Sequence, residues 1–136
     1  MPLGFPDGKF RIINEATGEC LFISFGSGRP PEVSHKPINN SNSELWSIYT
    51  ETDPWGAKKY FLISAETYNG SDMAIHATPE DVRLVGTGRA DVSQWETKDG
   101  LIYLRDKPGR VLAVRGGVLP VMEDPSGDKA QMFRFQ

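Results

Sequence analysis

The chain contains a single cysteine, Cys20, which rules out an internal disulfide and leaves folding to the core. It has no basic cluster longer than the pair Lys58-Lys59 and carries a net charge of −3, so the electrostatic footprint of a nucleic-acid-binding protein is missing. No apolar run approaches the roughly 20 residues of a membrane-crossing helix, so no membrane partner is expected. The first eight residues, Met1 to Gly8, lack the charged and apolar regions of a secretory signal, and the expected compartment is the cytoplasm. Helical patterning is scarce as well. The best amphipathic stretch, Ala77 to Val85, is interrupted by Pro79 and runs into Gly86-Thr87-Gly88, leaving room for one turn at most.

What the chain does have is glycine and proline, 14 and 10 residues respectively, scattered between short apolar runs. That punctuation suits many tight turns and short strands. At 136 residues the chain matches one domain, large enough to bury a core without staples.

The turn signals repeat. Thr17-Gly18, Asn69-Gly70 and Pro108-Gly109 each follow a strand-like run: Phe10 to Ile13, Tyr60 to Ile63 and Leu101 to Leu104. Three residues after each glycine stands an apolar residue (Leu21, Met73, Leu112), and five after it another (Ile23, Ile75, Val114). A spacing of two puts both on one face of a strand. The three pairs read as hairpins, because glycine tolerates the positive φ such turns require.

A further short run follows in each unit: Glu32 to His35, Val82 to Val85, and Val118 to Met122. Each unit then closes on an aromatic, Trp46, Trp95 or Phe133, at 28, 25 and 24 residues from its turn glycine. One unit of four short strands cannot bury its own apolar face, whereas three sharing a core can. The pattern predicts a single all-β domain over 1–136 with about twelve strands and units near 8–52, 58–97 and 100–136. The expected core is Ile12, Leu21, Ile23, Trp46, Ile63, Met73, Ile75, Trp95, Leu112, Val114 and Phe133.

Phe10-Arg11-Ile12-Ile13-Asn14, Thr17-Gly18-Glu19-Cys20-Leu21 and the closing Glu44-Leu45-Trp46 resemble the ricin-B-like β-trefoil lectins, whose units run I-x-N-x-x-T-G-x-C-L-D and end in Q-x-W. The likeness spans the chain in period and core and is sharpest in the first unit. It implies a pseudo-threefold β-trefoil and a carbohydrate partner. In that family an aspartate after the conserved leucine accepts hydrogen bonds from sugar hydroxyls. Here those positions read as Phe22, Ala74 and Ala113, with no carboxylate. The polar partner before the closing aromatic survives as Asn42 alone. The scaffold is kept and the usual sugar constellation is absent, so any sugar site uses other residues.

Two loops are candidates. In Thr52-Asp53-Pro54-Trp55-Gly56, Trp55 can stack on a sugar face while Asp53 accepts hydroxyls; the competing reading folds Trp55 back over the barrel end. The longest turn-rich stretch, Phe25 to Asn42, holds His35, Asn39 and Asn42 together with Pro30, Pro31 and Pro37 and reads either as a stiffened binding loop or as an ordinary variable one. Fungal cysteine-protease inhibitors of the clitocypin kind share the trefoil scaffold, and Asp7-Gly8-Lys9-Phe10 is similar to their opening, so a protein-binding module is the alternative function. Against trypsin-type inhibition, Arg29 is followed by Pro30.

Catalysis finds little footing. His35 and His76 lie in different units with no second ligand at metal spacing, and Cys20 on a predicted strand reads as a buried structural thiol. The expectation is a non-enzyme with no cofactor and no metal, whose partner is a carbohydrate or a protein.

Overall fold

The computed structural model describes residues 2–79 and 81–136, with Pro2 described by its main chain only. Its strands are β1 (Ile12–Asn14), β2 (Cys20–Ser24), β3 (Glu32–Lys36), β4 (Trp46–Thr52), β5 (Lys58–Tyr68) and β6 (Ser71–Ala77), then β7 (Val82–Gly86), β8 (Trp95–Lys98), β9 (Leu101–Leu104), β10 (Val111–Ala113), β11 (Val121–Glu123) and β12 (Phe133–Phe135). The only other elements among the described residues are three 3₁₀ turns of three residues each. Ala77 ends β6 and Val82 begins β7, so the amphipathic stretch resolves into strands; Glu80 within it lies outside the described residues.

The twelve strands form three four-stranded antiparallel sheets, ordered β12-β1-β2-β3, β4-β5-β6-β7 and β8-β9-β10-β11. The last strand of each unit therefore pairs with the first strand of the next. The chain closes where β12 returns to β1, with Ile12 opposite Phe135 and Asn14 opposite Phe133. Pairing across unit boundaries ties the three units into one body and removes edges that a lone unit would expose.

One core cluster takes equivalent residues from every unit: Ile12, Leu62 and Ile102 from the first strands, Leu21, Ile75 and Leu112 from the second, and Trp46, Trp95 and Phe133 from the fourth. Phe5, outside any strand and not among the expected core residues, stacks on Phe10 with ring centroids 5.8 Å apart and meets Phe135 edge-on at 5.4 Å. This aromatic group pins the N-terminal segment to the closing strand.

The ladders correct two expectations in the second unit. Ile13 pairs with Cys20, Ile63 with Ala74 and Tyr103 with Val111. Ile63 is therefore the counterpart of Ile13, on the face opposite the main core. It packs with Phe61, Ala74, Val85 and Val92 in a separate apolar cluster, and Leu62 holds the core position instead. By the same register the counterpart of Leu21 and Leu112 is Ile75, not Met73, although Met73 is buried too. The residue after the conserved apolar position is then His76 rather than Ala74. The cause is local: the β5–β6 hairpin is longer, with a register shift between Ile63 and Thr67, so Asn69-Gly70 turns two residues further from the core.

Turn chemistry explains the hairpins, with one exception. Asn69 and Gly70 have φ of 51° and 77° between the paired Tyr68 and Ser71, the two positive angles that a two-residue hairpin turn demands. Asp99 and Gly100 repeat this with φ of 55° and 82° between Lys98 and Leu101. Gly109 is not among the positive-φ residues, so the Pro108-Gly109 turn does not depend on that property of glycine. Of the run expected from Val118 to Met122 in the third unit, strand begins only at Val121, in Val121–Glu123, and Val118 sits exposed before it.

Candidate functional site

The β4–β5 hairpin extends beyond the core, with Thr52 opposite Lys58 as its last pair. Its tip is held by Asp53. One carboxylate oxygen, Oδ1, accepts the main-chain N–H of Trp55 and of Ala57, both at 2.9 Å. The main chain adds Asp53 N–H to the Ala57 carbonyl and Gly56 N–H to the Asp53 carbonyl. Gly56 adopts φ of 86°, which lets the chain reverse immediately after Trp55. The Trp55 side chain is left 89% exposed, so it does not fold back over the barrel. Asp53 Oδ2 has no protein partner among the described residues and is available as an acceptor.

Of the remaining sequence candidates, Asn39 and Asn42 belong to a separate region organised by Glu44. This carboxylate is fully buried beneath the loop 37–43. It accepts hydrogen bonds from the main-chain N–H of Asn39 at 2.7 Å and of Asn40 at 3.1 Å, from Arg11 Nε at 3.1 Å, and from Lys36 Nζ. Burial pushes its pKa up, but the bonds from Lys36, Asn39 and Arg11 outweigh that and hold it at about 2. Asn39 Oδ1 accepts from Lys36 Nζ at 3.0 Å and from Ser41 N–H at 3.1 Å. Asn42 is exposed, and its carbonyl closes the 3₁₀ turn through Leu45 N–H at 3.1 Å. His35 ties the first unit to the third, with Nδ1 2.8 Å from Glu19 Oε1 and Nε2 donating to the Gly117 carbonyl at 2.7 Å.

The five candidates thus fall into three places. Asp53 and Trp55 form one local unit. Asn39 and Asn42 lie in the segment over Glu44, His35 bonds instead to Glu19 and Gly117, and no hydrogen bond or ion pair among the described residues links Asp53 and Trp55 to the other three. Glu44 itself escaped the sequence reading. Its signal was the place it occupies two residues before the closing tryptophan, where the resembling family carries glutamine.

A cleft of about 600 Å³ opens between the end of β6, the β7–β8 loop and the β9–β10 turn. His76 forms part of its wall and is 6% exposed. Its Nδ1 accepts the Ser93 main-chain N–H at 3.1 Å and faces the Ser93 hydroxyl at 3.0 Å, while that hydroxyl oxygen accepts Ala77 N–H at 3.0 Å. Burial first, and Arg89 second, lower the imidazole pKa. Nδ1 is therefore the acceptor and Nε2 carries the proton. Across the cleft, Arg105 lies over the Tyr60 ring at 5.6 Å and Lys107 stands on the turn before Pro108. Sequence reading weighed His76 only as a metal ligand, because nothing in the linear chain places Arg105 and Lys107 opposite it.

No protein-family model matches the chain, and no curated protein matches it. Solved structures do. The C-half of an earthworm R-type lectin in complex with GalNAc is 19% identical, with 96% of this chain and 98% of that one covered and a TM-score of 0.70. A Macrolepiota procera ricin B-like lectin in complex with lactose is 16% identical, with 97% and 96% covered and a TM-score of 0.68. A designed threefold-symmetric protein, ThreeFoil, is 19% identical, with 95% and 98% covered and a TM-score of 0.65. These likenesses establish the fold: the chain is a β-trefoil, similar in architecture to the ricin-B-like lectins.

Proposed function

We propose that this β-trefoil is a non-catalytic binding module that takes carbohydrate at the β4–β5 turn, with Trp55 stacking on a pyranose face and Asp53 accepting hydroxyls. The observation that carries the reading is the exposure of Trp55, 89%, on a tip whose main chain is already fixed by Asp53. An indole left in water gains free energy when an apolar face covers it, and a turn ordered beforehand loses little entropy on binding. Two solved trefoils of similar fold hold GalNAc and lactose, which supports carbohydrate as the ligand class.

The test is a glycan array probed with the wild-type chain and with Trp55→Ala. A hit that soluble sugar competes away, and that disappears in the variant, supports the reading. A hit that survives Trp55→Ala overturns the site, and a blank array overturns the ligand class.

One observation favours a second reading, a protein-binding module of the clitocypin kind. Phe25 is 52% exposed at the head of the turn-rich loop that also carries Arg29 and Pro30. A stoichiometric complex with a cysteine protease, insensitive to sugar and weakened by Phe25→Ala, would establish it.

A further inference from the structure

Sheet closure leaves a strand edge open on β4. In an antiparallel ladder the main-chain N–H and C=O of alternate residues point to opposite sides. The Leu45 carbonyl accepts Ala65 N–H at 2.9 Å and Asp53 N–H donates to the Ala57 carbonyl at 2.9 Å, so the odd-numbered residues of this segment face β5. The even-numbered residues face away from it. Trp46 is taken there by Phe10, through two bonds of 2.8 Å. Ile48, Thr50 and Thr52 follow on the same side, and their outward N–H and C=O groups have no partner among the described residues.

This open window begins where the pairing with Phe10 stops and ends where the turn held by Asp53 starts. Common edge protections are missing from it. β4 contains no proline and no lysine, and its seven pairs with β5 run without a register shift. The corresponding ladders hold four pairs between β8 and β9 and three between β12 and β1, so the β4–β5 ribbon projects furthest.

We infer that the β4 edge is a self-association surface, to which a second copy of this chain adds its own β4 antiparallel about a twofold axis at Thr50. In that register Thr50 pairs with Thr50 of the second copy, and Ile48 of each copy pairs with Thr52 of the other, so every outward group of the window is used. A shift of two residues either way sets a pair against the edge already held by Phe10 or against the turn. The side chains agree with this register. It places Glu51 opposite Tyr49 of the second copy, so the row across the joined sheet reads Lys59, Glu51, Tyr49, Phe61. Glu51, the one charge on β4, then lies between its own Lys59 and an exposed tyrosine whose hydroxyl has no partner among the described residues. No like charges meet. On the other face the β-branched Ile48, Thr50 and Thr52 oppose one another, which suits cross-strand pairing. β4 thus carries its own complement, and that selects a second copy as the occupant. The pairing uses no atom assigned to carbohydrate, so either reading can fail alone.

The test takes the full chain from about 1 μM to about 1 mM in sedimentation velocity, the range in which modest affinities show. The mass is expected to rise from 15.1 kDa toward twice that value and no further. In the concentrated sample, amide hydrogen exchange at Thr50 and Thr52 should slow about tenfold or more relative to the dilute one. Tyr49 and Glu51, already bonded to β5, should be unchanged. Thr50→Lys sets like charges opposite each other on the axis and should weaken association about tenfold or more. Thr50→Pro removes an N–H that β5 does not use, so the hairpin should be retained and association lost; where this variant fails to fold, Thr50→Lys decides. A constant mass, growth beyond two copies, a dimer untouched by Thr50→Lys, or protection that spares Thr50 and Thr52 would overturn the assignment.

Discussion

The indole N–H of Trp95 donates to the main-chain carbonyl of Ile75 at 2.8 Å. The same bond joins Trp46 to Leu21 at 3.0 Å in the first unit. In the third unit Phe133 stands at the equivalent place and has no such donor. The repeat therefore preserves the shape of the plug in all three units and its hydrogen bond in two.

That difference makes Trp95→Phe informative. Phenylalanine fills most of the volume, as the third unit shows, but strands the Ile75 carbonyl in the core. The expected loss is about 2 kcal/mol from the unsatisfied acceptor and the missing ring volume. Urea unfolding would measure it, and a loss below about 0.5 kcal/mol would show that the carbonyl finds another partner.

Glu44 gives the fold a definite response to acid. Its folded pKa, about 2, lies below the ordinary 4.5. The carboxylate thus adds stability that is fully present above pH 4.5 and is lost as pH falls through 2. Glu44→Gln removes a charge buried against Arg11 and Lys36 and should destabilise by about 3 kcal/mol at pH 7. Urea midpoints of the two proteins should converge between pH 4.5 and 2. Parallel midpoints across that window would show that Glu44 does not carry the response.

Cys20 lies fully buried on β2, and burial raises its thiol pKa, with Glu44 adding to the effect. Both exclusion and protonation suppress the thiolate. A thiol reagent at neutral pH should leave the folded chain unlabelled and label it fully in denaturant. Rapid labelling of the native chain would mean that β2 opens locally.

Gly70→Ala tests the turn that lengthens the second unit. The added Cβ meets no atom within 4 Å, so the only cost is the φ of 77°. The expected destabilisation is about 1 kcal/mol, measured by thermal unfolding, with the fold retained. A neutral result would mean that the turn relaxes to another conformation.

Trp55→Ala should change stability by less than about 0.5 kcal/mol, since an 89% exposed side chain contributes little packing. A large loss in chemical denaturation would assign Trp55 a structural role and remove it as a binding residue.

Much of the fold was legible because it rests on local chemistry. Short alternating runs, glycine-bearing turns and a closing aromatic in each unit follow from strand periodicity and turn geometry, and they led to twelve strands and most of the core. The register of the second unit was not legible. Counting from Gly70 pointed to Met73 and Ala74, but the hairpin before it runs longer and shifts, and only the pairing of Ile63 with Ala74 places Ile75 and His76 correctly. A turn glycine marks where a strand begins, and the distance from there to the shared core depends on how far the hairpin projects.

The sites divide along the same line. Residues 53–57 hold Asp53 and Trp55 in one tight turn, so their neighbourhood could be read from the linear chain. The Glu44 network gathers Arg11 and Lys36 across the sheet, and the cleft sets His76 of the second unit opposite Arg105 and Lys107 of the third. By itself the sequence determined the strand pattern, the threefold repeat, the single thiol and the turn that carries Asp53 and Trp55, while the exposure of Trp55 came from the structure. Only the tertiary structure decided which side chains meet across units, because those meetings depend on strand register and sheet closure rather than on spacing along the chain.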